Sequence, residues 1–151
     1  MKSIFLLIGI LISTVVPSSA LADASTLDNP ALIKMAKDTR AAILNMDKKY
    51  IMKHVSPKGI YFIDTVYSKE QLNKLLDDKD SWLYKKLYIG DTSVKYYFEN
   101  AQDISETIYK RGKDAIMILY QSGGIDKKSS LESCYIKING VWYFDGIFSC
   151  E

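Results

Sequence analysis

Histidine and cysteine are scarce in this sequence, and their scarcity excludes several kinds of site. The chain of 151 residues contains one histidine and two cysteines. Zinc sites are built from clustered Cys and His ligands, which the sequence lacks, so we predict no metal, and nothing else indicates a cofactor. A hydrolytic triad would need the single histidine, His54, beside an activated nucleophile, and no G-x-S-x-G motif is present. We expect His54 to interact with a helix end, where the helix dipole favours a cation.

An excess of charge of one sign is also lacking. The 20 basic residues nearly balance the 18 acidic ones, which gives a formal net charge of +2 at pH 7. Nucleic acids and anionic membrane surfaces attract strongly basic chains. We therefore predict no nucleic-acid partner.

The N-terminus carries the pattern of a secretory signal peptide. A basic start is followed by an uncharged run, Ile4 to Val16, and by the A-x-A pattern Ala20-Leu21-Ala22. A membrane anchor is the alternative, but a spanning helix needs about 20 apolar residues. We predict that residues 1–22 are a signal peptide and residues 23–151 a single domain. The mature protein is then periplasmic or secreted, in the bacterial envelope, with no membrane insertion after cleavage.

Export favours a disulfide between Cys134 and Cys150. In a straight ladder, however, Cys134 lies opposite Asp145, and Cys150 is then about 16 Å away at about 3.3 Å per residue. A disulfide needs Cα atoms within about 7 Å of each other. The bond therefore requires a bend after Phe144, for which Asp145-Gly146 is suited. Two free thiols, or one thiol paired with a partner, are the alternatives.

The C-terminal stretch predicts a β-hairpin. Asn139-Gly140 between two β-rich runs favours a type I′ turn, in which both central residues have positive φ. The turn fixes the register, with Ile138 opposite Val141, and alternation then divides the side chains between two faces. We expect the first face to be the core face; it comprises Ile136, Ile138, Val141 and Tyr143. The second face is aromatic, and we expect it to be covered by a helix or to line a pocket. It comprises Tyr135, Lys137, Trp142 and Phe144.

Helical patterns precede strand patterns along the chain, which predicts an α+β fold with helices on one face of an antiparallel sheet. Asn29-Pro30 opens a helix that runs to about His54, with a break at residues 45–47. Ser68 and Gln71 form a capping box. Strands are predicted at 60–66 and 93–98, and a central strand buried on both faces at 115–121. The segment at 81–88 is ambiguous between helix and strand, and the one at 104–110 alternates weakly. A flexible loop is predicted at 122–130.

Short motifs along the chain resemble a known family. They are Asp47, the pattern His54-Val55-Ser56-Pro57-x-Gly59-Ile60-x-Phe62, Asn100-Ala101, and Gly140-Val141-Trp142-Tyr143-Phe144-x-Gly146-Ile147. The chain resembles small exported bacterial proteins of unknown function with the nuclear-transport-factor-2-like (NTF2-like), cystatin-like cone fold. The resemblance implies a curled antiparallel sheet of four to six strands around N-terminal helices, with a pocket between them. Members of that superfamily include isomerases, dehydratases and binding modules, so the fold does not determine the function.

Asp64 is the one carboxylate within a strongly apolar strand. In a cone fold it could face the pocket as a general base, with Tyr61 or Tyr143 as proton donor. The alternative, which we prefer, is that Asp64 caps the strand end. Lys137 opposite Trp142 is interpreted as a cation–π pair rather than a ligand anchor.

Two function classes remain. The first is an exported soluble binding module that holds a small apolar ligand or an envelope protein on its concave aromatic face, formed by Tyr135, Lys137, Trp142 and Phe144; an inhibitor or immunity protein belongs to this class. The second is a small pocket enzyme of isomerase or dehydratase type that uses Asp64. Because convergent titratable groups are missing from the sequence, the first class is favoured.

Overall fold

The computed structural model describes residues 29–123, 129–148 and 150. The predicted signal peptide, residues 1–22, and most of the predicted loop at 122–130 lie outside them. None of the helices in the described ranges is long and apolar enough to cross a membrane. The elements follow the order α1 (Pro30–Leu44), α2 (Lys48–His54), β1 (Ile60–Phe62), β2 (Thr65–Tyr67), α3 (Lys69–Asp77), α4 (Trp82–Tyr88), α5 (Val94–Asn100), β3 (Ser105–Lys110), β4 (Ala115–Gln121), β5 (Ser130–Ile138) and β6 (Val141–Ile147).

The N-terminal helices begin and end as the sequence predicts. The Asn29 side chain accepts a hydrogen bond from the Leu32 amide at 3.2 Å. The break falls at Met46, which has a φ of 53°. Asp47 then caps α2 by accepting from the Tyr50 amide at 2.9 Å. The break is therefore a second helix start rather than a local irregularity.

The strands form one sheet in the order β2-β1-β6-β5-β4-β3. Every neighbouring pair is antiparallel except β1 and β6, which pair in parallel through Tyr61 with Gly146 and Phe62 with Ile147. The α+β class is confirmed, whereas the wholly antiparallel sheet is not. The chain leaving α2 runs alongside β6 in the same direction, held by a hydrogen bond of 2.9 Å from the Ser56 amide to the Phe144 carbonyl.

The helices cover one face of this sheet. Helices α1 and α2 contact β6, and α3 contacts β2. In β4, Ile116, Ile118 and Tyr120 are buried, whereas the interleaved Met117 and Leu119 are only half-buried. The expectation that β4 is buried on both faces is therefore wrong, because helices pack on one side only.

The segment at 93–98 is helical rather than a strand. The Ser93 hydroxyl accepts a hydrogen bond from the Tyr96 amide at 3.1 Å and so caps α5. Val94 and Phe98, four residues apart on one helix face, are both buried. Capping and packing thus override the β propensity of the aromatic residues. The ambiguous segment at 81–88 is likewise helical, and the capping box of Ser68 and Gln71 is confirmed.

The predicted strand at 60–66 divides into the two strands β1 and β2, joined by a tight turn at Ile63 and Asp64. Ile63 has a φ of 57°. Gly59, with a φ of 106°, lies where an added Cβ would overlap the Tyr67 carbonyl oxygen. Only glycine fits there without a shift of the backbone.

Candidate functional site

The terminal hairpin has the register expected from its turn. Asn139 and Gly140 have φ values of 51° and 83°, and Ile138 lies opposite Val141. The expected core face is wrong, however. Tyr135 and Phe144 are each 2% exposed, whereas Val141 is 53% exposed. The aromatic face is therefore the one that the helices cover.

Because the helices cover this face, the predicted binding residues are only partly accessible or not accessible at all. Tyr135 and Phe144 pack together with ring centroids 5.8 Å apart and are not accessible to a ligand. Lys137 and Trp142 are half-buried at the turn end of the hairpin, and the Lys137 ammonium lies 5.8 Å from the Trp142 ring centroid. That distance agrees with a cation–π pair. The four residues do not form an open concave surface.

The disulfide between Cys134 and Cys150 is present, and the chain bends where the sequence allowed it. Cys134 lies opposite Gly146 while Tyr135 lies opposite Phe144, so Asp145 is the extra residue of a β-bulge. The Cα atoms of the two cysteines are 5.7 Å apart.

Asp145 occupies an unusual position for a carboxylate. It is half-buried at the bulge. Burial raises the pKa of its carboxyl above the ordinary value of 3.8, against the opposing effects of the Ser56 hydroxyl and of the Lys58 ammonium. Sequence reasoning missed this residue as a site, although it is the only carboxylate between the apolar residues of β6.

The residues predicted for catalysis are not brought together around a pocket. Asp64 is exposed in the turn between β1 and β2, as a strand-capping residue would be. Tyr61 lies on the sheet face away from the helices. His54 is in the last turn of α2, with its Nδ1 atom 2.9 Å from the Tyr50 carbonyl oxygen and its ring stacked on Tyr50. Its position is the one expected at a helix end.

Three hydroxyl groups meet inside the core instead. The Ser133 hydroxyl donates to the Tyr135 hydroxyl at 3.3 Å, and Tyr120 lies beside both. Burial raises the pKa of both tyrosines. The phenols therefore stay protonated at neutral pH and serve as buried hydrogen-bonding groups.

The face of the sheet opposite the helices, here called the outer face, is largely apolar. Alternation fixes its members, because they lie between the buried positions of each strand. The apolar and aromatic ones are Tyr61, Val66, Tyr109, Ala115, Met117, Leu119, Ile136, Ile138, Val141 and Tyr143. Cys134 shares the face, and the charged residues at its described strand positions are Glu132 and Asp145, both acidic.

A separate cleft of about 320 Å³ opens beside α5. Leu131 and Phe148 form its apolar part, and the exposed ring of Tyr96 stands at its rim. This cleft was not predicted, because the segment that contains Tyr96 was expected to be a strand.

Among the described residues, no group of three or more His, Cys, Asp and Glu side chains could hold a metal ion. No protein-family model and no curated protein matches the chain. Among solved structures, the chain is similar to an NTF-2-like protein of unknown function from Shewanella oneidensis MR-1. The sequence identity is 14%, the TM-score is 0.39, and the match covers 78% of this chain and 93% of that chain. A likeness of this strength carries no argument about function.

Proposed function

We propose that this chain is an exported, non-catalytic binding module that holds a partner protein on the outer face of its sheet. The observation that carries the proposal is the largely apolar outer face, over which the described part of the chain packs no helix. Strands lie about 4.8 Å apart and rise about 3.3 Å per residue, so the four longer strands β3 to β6 alone give a face of roughly 300 Å² in projection. The largest apolar patch on a typical monomer covers about 300–600 Å² and is often a functional surface.

The charges on the outer face indicate the chemistry of the partner. Glu132 and Asp145 are its charged strand residues, and burial already disfavours the ionised form of Asp145. A second copy of this chain on the same face would add like charges to a buried interface. A partner that combines apolar side chains with Lys or Arg would offset that cost. We therefore expect a different protein with a basic, apolar surface.

The rest of the proposal concerns location and fold. The leader pattern at residues 1–22 and the disulfide support a periplasmic or secreted protein of the bacterial envelope. Helices packed on one face of the sheet support the NTF2-like type of cone. An inhibitor or immunity protein remains the biological role that such a surface fits best.

The pocket-enzyme alternative has less support. Asp64 lies on an exposed turn, where a general base has no enclosed space in which to meet a substrate. The concave surface expected to bind a small apolar ligand is not accessible, because Tyr135 and Phe144 are in the core.

A comparison of two lysine variants tests the proposed function. Val141→Lys adds a cation to the outer face, and Ile89→Lys adds one at the end of α4; the two side chains are 53% and 52% exposed, so the variants are matched in exposure. The mature proteins are immobilised and exposed to envelope extract, and bound proteins are identified and then titrated in pure form.

We expect one partner to be lost by Val141→Lys and retained by Ile89→Lys, with a Kd raised at least about tenfold for the first variant. Equal binding by the two variants would overturn the proposal. Self-association of the chain through this face, or the absence of any partner that distinguishes the variants, would overturn it as well.

A further inference from the structure

We infer that the cleft beside α5 is a second binding site, separate from the outer face, and that its ligand is a small neutral or amino saccharide. The cleft volume of about 320 Å³ falls at the lower end of the range for ligand pockets. The inference does not depend on the partner protein proposed above.

The cleft presents an apolar surface to one side of a ligand. Leu131 and Phe148 line it together with Ala101, and Tyr96 is 43% exposed beside them. A pyranose ring has an apolar face of C–H bonds, which suits contact with an aromatic ring. The negative face of the Tyr96 π-system attracts the slightly positive hydrogens of those bonds.

Polar groups at the rim can bind the hydroxyls of a saccharide. The side-chain amide nitrogen of Asn100 donates to the Tyr96 carbonyl at 3.0 Å, which orients the amide. Its Oδ1 atom is then available as an acceptor. Thr92, Ser129 and Ser130 line the same cleft, and a hydroxyl group can both donate and accept.

Tyr97 links this wall of the cleft to the sheet. Its hydroxyl lies 3.0 Å from the Tyr120 carbonyl oxygen and 3.2 Å from that of Ser129. The ring therefore ties α5 to β4 and to the start of β5. A preformed wall reduces the ordering cost of binding a weakly held ligand.

The charges of the described lining disfavour some other ligand classes. Among the described residues that line the cleft there is one carboxylate, Asp91, and no basic side chain, and this part of the lining disfavours phosphates and carboxylates. The nearby Lys86 ammonium is engaged with the Thr92 carbonyl at 3.1 Å and with the Phe148 ring. A wholly apolar ligand would desolvate the rim hydroxyls without replacing their hydrogen bonds.

Nuclear magnetic resonance titration of the mature protein tests this inference. The probes are chitobiose, cellobiose and the glucosamine disaccharide. We expect saturable shifts of the Tyr96 and Asn100 amide signals, with a Kd of about 1 mM for at least one probe. Tyr96→Ala should weaken that binding at least about tenfold. The matched control, Tyr109→Ala on the outer face, should leave it unchanged.

Further variants distinguish a loss of saccharide binding from a loss of folding. Thr92→Val removes one rim hydroxyl and should weaken binding severalfold even where Tyr96→Ala perturbs the fold. Val141→Lys should bind saccharide normally, so a failure here is distinct from a failure of the partner surface. Asp91→Asn should weaken binding of the glucosamine disaccharide alone. Absence of saturable shifts with all three probes, or equal effects of Tyr96→Ala and Tyr109→Ala, would overturn the inference.

Discussion

At the scale of single residues, the aromatic side chains of the hairpin differ in what they contribute to stability. Phe144 is buried beneath the helices, whereas Trp142 is only partly buried at the turn end. Phe144→Ala should lower the free energy of unfolding by about 3–5 kcal/mol, a large share of the 5–15 kcal/mol typical of a domain. Trp142→Ala should cost less than about 2 kcal/mol, because less of its surface is removed from water. Chemical denaturation of both variants measures the difference, and a larger loss for Trp142→Ala would contradict the relative burial of these two side chains.

Asp145 gives the stability of the domain a specific dependence on pH. Burial raises the pKa of its carboxyl in the folded state above 3.8, so the folded chain binds this proton more tightly than the unfolded chain does. Its contribution to stability is therefore greatest below the ordinary pKa and is lost as the pH rises through the raised value. Asp145→Asn lacks this titration and can still bond to Ser56.

The free energy of unfolding of the wild type, relative to that of Asp145→Asn, should consequently fall between acidic and neutral pH. Denaturation of both proteins at several pH values measures it. A difference that stays constant, or that grows with pH, would show that burial does not control this carboxyl.

The assignment of hairpin faces shows where sequence reasoning stops at this scale. Asn139-Gly140 fixed the register because the turn allows only one pairing. Both alternating sets of side chains are apolar, so alternation alone could not decide which set faces the helices. Packing by α1 and α2 on the side of Phe144 decides it, and that contact is not encoded in the hairpin itself.

At the scale of elements, the turn before β1 requires a particular glycine. Gly59 and Gly90 have similar positive φ values of 106° and 90°, but an added Cβ meets the Tyr67 carbonyl only at Gly59 and open space at Gly90. Both Gly→Ala changes carry a backbone cost of about 1–2 kcal/mol. Gly59→Ala should cost about 1–3 kcal/mol more, because the backbone must shift. Thermal or chemical denaturation of the two variants measures the additional loss of stability at Gly59. Equal losses of stability would mean that β2 shifts without a cost in free energy.

Elements with local signals were predictable, and those that depend on distant contacts were not. Caps at Asn29 and Ser68 mark helices in the sequence itself. The helix α5 was predicted as a strand because Tyr96, Tyr97 and Phe98 have high β propensity, while the cap at Ser93 was overlooked. The cleft that contains Tyr96 could not be found without this helix. The bend after Phe144 was predicted as the condition for the disulfide, because the bond distance demands it.

At the scale of the whole molecule, the sheet has two different faces. The helices bury one face, including Tyr135 and Phe144, and this packing accounts for the fold. The outer face has no helix over it in the part of the chain that the structure describes, and its apolar side chains are partly open to solvent. Sequence reasoning predicted a binding module but placed its surface on the concave side. The surface proposed for the partner is on the opposite side.

Hydroxyl-radical footprinting of the mature protein, with and without the partner isolated in the Val141→Lys comparison, tests this account most directly. Met117 and Tyr143 on the outer face should lose reactivity in the complex. Met46, at the break between α1 and α2, and Tyr96, at the separate cleft, serve as exposed controls of the same residue types and should keep theirs. Protection of Met46 or Tyr96, with Met117 and Tyr143 still reactive, would contradict the proposal that the outer face is the binding surface.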